Sequence, residues 1–139
     1  MRPFYAGSTI MDRIFSRATL AMVAATLLAL SAVGAQAEPS KKWRIKLNHR
    51  VDNDATVVFR VSPVGGTPID VETKIPAGTG ENKAAKMIRD SFRVSLGEGY
   101  HVETDDGEDV VIKKRKDTPE FELALQSSNA AGLTIELKN

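Results

Sequence analysis

Residues 69–96 read Ile69-Asp70-Val71-Glu72-Thr73-Lys74-Ile75-Pro76-Ala77-Gly78-Thr79-Gly80-Glu81-Asn82-Lys83-Ala84-Ala85-Lys86-Met87-Ile88-Arg89-Asp90-Ser91-Phe92-Arg93-Val94-Ser95-Leu96. The apolar period changes inside this stretch. Up to Ile75 it is two: Ile69, Val71 and Ile75 share one side, and Asp70, Glu72 and Lys74 the other. That pattern fits a strand with one buried face. Pro76 interrupts it. Beyond it Ala84, Ile88, Phe92 and Leu96 recur every fourth residue, with Ala85 and Met87 beside them. This spacing predicts an amphipathic helix from near Gly80 to Leu96, wet along Lys83, Lys86, Arg89, Asp90 and Arg93. Thr79 is the expected N-cap, Glu81 suits the positive end of the helix dipole, and Gly97 and Gly99 end the helix.

Working outward, every other apolar segment has period two. Trp43, Ile45 and Leu47 alternate with Arg44, Lys46 and Asn48. A second strand, Thr56 to Ser62, carries Val57, Phe59 and Val61 on one face. Pro63 and Gly65-Gly66 turn it into the strand at Ile69, a hairpin. After the helix, Tyr100–Thr104 and Glu108–Lys114 flank Asp105-Asp106-Gly107, which fits a type I turn with Gly107 left-handed. In that register Val102 opposes Val110 and Tyr100 opposes Ile112. Phe121, Leu123 and Leu125 predict a further strand, and Leu133, Ile135 and Leu137 the last. The order is β-β-β-α-β-β-β-β. One apolar face per strand and one helical stripe predict an α+β fold. It would be a curled antiparallel sheet of about six to seven strands, with the single helix packed on its apolar face.

The chain has 139 residues. Its first 37 have the order of an export signal: Arg13 and Arg17, the apolar run Ala18 to Val33, then Ala35-Gln36-Ala37. Cleavage after Ala37 is the expectation, with Met1 or Met11 as the start. Residues 38–139 would then be a single domain, periplasmic or secreted, with no transmembrane span after cleavage. The leader holds three basic residues and one acid, which leaves 16 basic and 17 acidic residues beyond it. That balance argues against a dedicated nucleic-acid binder. The chain has no cysteine, so apolar packing must hold the fold without disulfides.

From Thr56 onward the pattern resembles a small β-β-α-β-β-β module of phage tail-sheath and bacterial surface proteins. The matching features are Gly78-Thr79 before Ala84, Ala85 and Ile88, then strands at Val102, Val110–Ile112, Phe121–Leu125 and Leu133–Leu137. The resemblance implies a structural or interaction role without catalysis, and carries no functional residue across.

Few residues suggest chemistry. The acids Asp105, Asp106, Glu108 and Asp109 offer hard oxygens for Ca²⁺, but lack the alternating spacing and distal Glu of a Ca²⁺ loop. A solvated hairpin turn explains them better. His49 and His101 are the only histidines, on separate elements, with no Cys nearby. Ser95 and Ser127-Ser128 lie in no nucleophile elbow. Gly78-Thr79-Gly80-Glu81 lacks the Lys-Ser/Thr ending of a phosphate loop. Neither a metal nor a cofactor is expected.

Two basic runs remain: Lys41, Lys42, Arg44 and Lys46, and Lys113, Lys114, Arg115 and Lys116. Brought together they would hold an anionic glycan or lipid; kept apart they would only solubilise the surface and guard sheet edges. The expectation is an exported, non-enzymatic binding or accessory domain whose partner is an envelope protein or an anionic glycan or lipid. A structural subunit of a surface assembly and a small periplasmic hydrolase or inhibitor-like factor are the alternatives.

Overall fold

A computed structural model of the chain describes residues 38–139. The expected signal peptide and its cleavage site at Ala37 lie outside the described residues. The fold is α+β. Seven strands are present: β1 (Lys42–Asn48), β2 (Ala55–Pro63), β3 (Ile69–Ile75), β4 (Tyr100–Asp105), β5 (Asp109–Lys114), β6 (Phe121–Ser128) and β7 (Thr134–Lys138). One helix, α1 (Glu81–Leu96), separates β3 from β4 and runs on into a 3₁₀ turn at Gly97–Gly99.

The strands are divided between two antiparallel sheets rather than one. The first has the order β4-β5-β1-β7, the second β3-β2-β6. They meet where Ser40 and Phe121 exchange backbone hydrogen bonds of 2.9 and 3.0 Å. The reason is geometric. β1 spends one edge on β5 and most of the other on β7. Only Ser40, two residues before β1, is left to touch the start of β6. Helix α1 packs chiefly against β3 and β4, the outer strands of the two sheets. It thus covers the two edges that chain order leaves beside it.

The apolar faces anticipated from period two form one core. Trp43, Ile45, Leu47, Val57, Phe59, Val61, Val71, Ile75, Val110, Ile112, Phe121 and Leu123 are all buried, and Ala84, Ala85, Ile88 and Phe92 of α1 close over them. Phe92 meets Phe59 with ring centroids 5.4 Å apart. Tyr100 stands edge-on to Phe121 at 5.1 Å. The Trp43 indole N–H donates to the Phe121 carbonyl at 2.8 Å, which satisfies the one polar atom that ring brings inside.

Three local expectations need correction. The β4–β5 register is shifted by two residues: Val102 faces Ile112, Thr104 faces Val110 and Tyr100 faces Lys114. A shift of two keeps every side chain on its own face, so the same residues are buried. The turn puts both Asp106 (φ 53) and Gly107 (φ 88) at positive φ. A positive pair matches the right-handed twist of the strands better than a type I turn does.

Thr79 is not the N-cap. Gly80 takes that position, and the buried Thr79 hydroxyl donates to the Pro76 carbonyl at 2.6 Å. Leu125 is 39% exposed. The β2–β6 register slips between Val58 and Phe59, and β6 has no ladder on its other side at this point, so Leu125 is only partly covered.

Candidate functional site

Strand β1 sets the geometry of the charged surface, because it lies between β5 and β7. Alternation turns Trp43, Ile45 and Leu47 inward and Lys42, Arg44 and Lys46 outward. Lys42 stands opposite Lys113, Arg44 opposite Val111 and Lys138, and Lys46 opposite Asp109 and Glu136. The two basic runs, some 70 positions apart in the chain, are therefore neighbours across one strand pair. The Lys114 amide also donates to the Lys41 carbonyl at 3.0 Å, and the Arg115 amide to Gly99 at 2.9 Å.

The same register divides the eight basic residues. Arg44 does not belong to a free basic surface. Its guanidinium donates to Asp105 and Asp109, both at 2.7 Å. Lys46 stands between Asp109 and Glu136 in the cross-strand rows. At the other end of the pair, Lys113 reaches Glu103 at 3.4 Å. Lys41, Lys42, Lys114, Arg115 and Lys116 have no acidic partner within 4 Å among the described residues. Lys41, Lys42, Arg115 and Lys116 are exposed, and Lys113 and Lys114 half-buried. Like charges directly opposite each other, as at Lys42 and Lys113, weaken a strand pair unless an anion sits between them.

Asp105 and Asp109, two of the four turn acids proposed for Ca²⁺, are held by Arg44. Hydrogen bonding to that guanidinium keeps the Asp105 carboxyl below its ordinary range. The Asp109 side chain is only 6% exposed, and its second oxygen has no protein partner. Among the described residues no three His, Asp or Glu side chains form a cluster suited to a metal ion. His101 lies on the outward face, 3.1 Å from Glu103. The hydrogen bond from His101, then that from Lys113, lowers the Glu103 pKa. His49 belongs to the opposite end of the four-stranded sheet from the basic pair. Its amide donates to Glu81 at 2.6 Å beside an open depression of about 550 Å³ lined by Arg50, Gly80, Asn82 and Lys83.

The β2–β3 loop was not singled out from the sequence. Val64 is 55% exposed, although it follows an otherwise well-buried strand. Its amide donates to the Glu120 carbonyl at 2.9 Å, tying the loop to the segment that follows Lys116. The only sequence signal was a valine lying outside the alternation, between Pro63 and Gly65-Gly66.

No protein-family model matches the chain, and no curated protein matches it. Among the described residues no helix is long and apolar enough to cross a membrane.

Proposed function

We propose that the protein is exported and works as a non-enzymatic binding domain that holds an anionic partner of the cell envelope. The observation that carries this reading is the convergence of Lys41 and Lys42 with Lys113–Lys116 at one end of the β1–β5 pair. Lys113 is shared with Glu103, but the other five cations have no acidic partner within 4 Å among the described residues, and such a group attracts a polyvalent anion by charge and hydrogen bonds. Among the described residues the buried polar atoms without partners belong to Thr73, Tyr100 and Asp109. They sit on three strands, with Tyr100 and Asp109 at opposite ends of the β4–β5 pair.

Two measurements test the proposal. The chain should be expressed with its own leader in a Gram-negative host and recovered by compartment. Recovery from the periplasm, with an intact mass lacking residues 1–37, is expected; an uncleaved cytoplasmic product would sink the export half. Calorimetric titration with inorganic polyphosphate tests the binding half. The triple variant Lys114→Glu, Arg115→Glu, Lys116→Glu should lose the interaction. Unchanged affinity in that variant would overturn the assignment to the basic end.

A further inference from the structure

We infer that the anionic partner is a phospholipid bilayer surface, engaged at its headgroups by the basic end and at its apolar boundary by the Val64 loop. The inference rests on the anion-binding function proposed above and names its ligand class. Two independent features meet at this end of the molecule. One is the cluster formed by the start of β1 and the end of β5. The other is the exposed Val64-Gly65-Gly66-Thr67-Pro68 loop. A short row of pairings joins them: Ser40 lies beside Phe121, Phe121 beside Pro63, and Val64 beside Glu120.

The chemistry of the two features favours lipid phosphate over other polyanions. Five of the six cations are Lys, compact point charges on flexible stems that can follow a fluid array of headgroup phosphates without a fixed bidentate geometry. The nearby aromatic rings are Trp43, Tyr100 and Phe121, and all three are buried. Among the described residues no exposed ring offers a stacking platform to a nucleobase.

An exposed valine in a glycine-rich loop, next to a polybasic cluster, suits the boundary between headgroups and acyl chains. Glu38, Glu98, Asp117 and Glu120 also lie at this end. None of these four comes within 4 Å of the six cations among the described residues, whereas Glu103 stands 3.4 Å from Lys113. Six cations against these five acids leave the end with a net charge of +1, and the five cations other than Lys113 have no internal ion pair to break before they meet an anionic surface.

The test uses protein expressed with its own leader and purified from the periplasm. It is co-sedimented with vesicles of phosphatidylethanolamine and phosphatidylglycerol, with phosphatidylcholine vesicles as the neutral control. Partition onto the anionic vesicles only is expected. Each cation removed should weaken it about five-fold, so the triple variant at 114–116 should lose more than about a hundred-fold. Val64→Ser should weaken vesicle binding several-fold while leaving polyphosphate binding unchanged. Circular dichroism and urea midpoints confirm that both variants fold.

Polyphosphate binding without vesicle binding would overturn the lipid inference and leave the anion-binding function standing. Failure of both probes would overturn both. A salt-sensitive oligomer that forms without lipid and disappears in the triple variant would also overturn it, because a second copy would then occupy this end.

Discussion

The two ends of the four-stranded sheet carry opposite charge and use it differently. Where β4 and β5 turn and β1 ends, the polar groups are spent on the fold. Arg44 binds Asp105 and Asp109, Glu81 accepts the His49 amide, and Asp54 accepts the Ala77 amide at 2.9 Å. Asn53 and Asn129 lace the neighbouring loops together. At the other end main-chain bonds tie the backbone, and apart from Lys113, which reaches Glu103, the basic side chains are left over. Charge embedded in hydrogen bonds is structural, and its loss is paid in stability. Charge without an internal partner is available to something outside the molecule.

Substitutions at the first end should therefore be costly. Gly132, in the loop that packs there, has φ 85, and a Cβ on it would meet the Arg50 carbonyl oxygen at 2.6 Å and the Asp52 carboxylate. Gly132→Ala should destabilise the protein by about 3 kcal/mol, from left-handed strain and overpacking together. A change under about 1 kcal/mol in urea unfolding would show that the loop relaxes freely. Arg44→Ala should cost about 2 kcal/mol. It leaves the buried Asp109 carboxylate unpaired, but Arg44 itself is 27% exposed, which softens the penalty. Losing Arg44 without measurable effect would remove the contrast between the two ends.

A smaller effect follows from Asp105, whose pKa is lowered by Arg44. Its contribution to stability is present above the unfolded value of 3.8 and lost as pH falls through the lower folded value. The stability gap between the wild type and Asp105→Asn should therefore close on acidification from about pH 6 to about pH 2. A gap that stays constant would mean that the ion pair contributes nothing to folding.

The smallest effect is expected at the basic end. The triple Lys114→Glu, Arg115→Glu, Lys116→Glu variant should unfold within about 1 kcal/mol of the wild type, because two of the residues are exposed, Lys114 is half-buried, and none of the three has an acidic partner within 4 Å among the described residues. A slight gain in stability, from relief of repulsion around Lys42 and Lys113, would sharpen the comparison. A large loss would show that these lysines serve the fold, and the binding proposal would lose its basis.

Much of this architecture was legible along the chain. The change from period two to period 3.6 around Pro76 places β3 and α1, and the alternation at Trp43, Phe59, Val110 and Leu123 marks buried faces that the core uses. The β4–β5 hairpin was legible as a hairpin but two residues out of register. Both registers bury the same face, so hydrophobic pattern alone does not separate them. The site was half legible. The basic runs stand out in the sequence, whereas the separation of Arg44 and Lys46 from the others depends on which acids lie across the ladder. The Val64 loop gave almost no signal, because a single exposed valine is unremarkable until its neighbours are known.

The sequence by itself determined the α+β class, the order of the strands, most of the faces they bury and the two sequential hairpins, since each follows from contacts between residues close in the chain. Only the tertiary structure decided that β1 lies between β5 and β7, that the strands form two sheets, and that α1 covers β3 and β4. Those are long-range choices. They depend on how strand edges are shared out and how one helix fills the space between two sheets, and no local period encodes either.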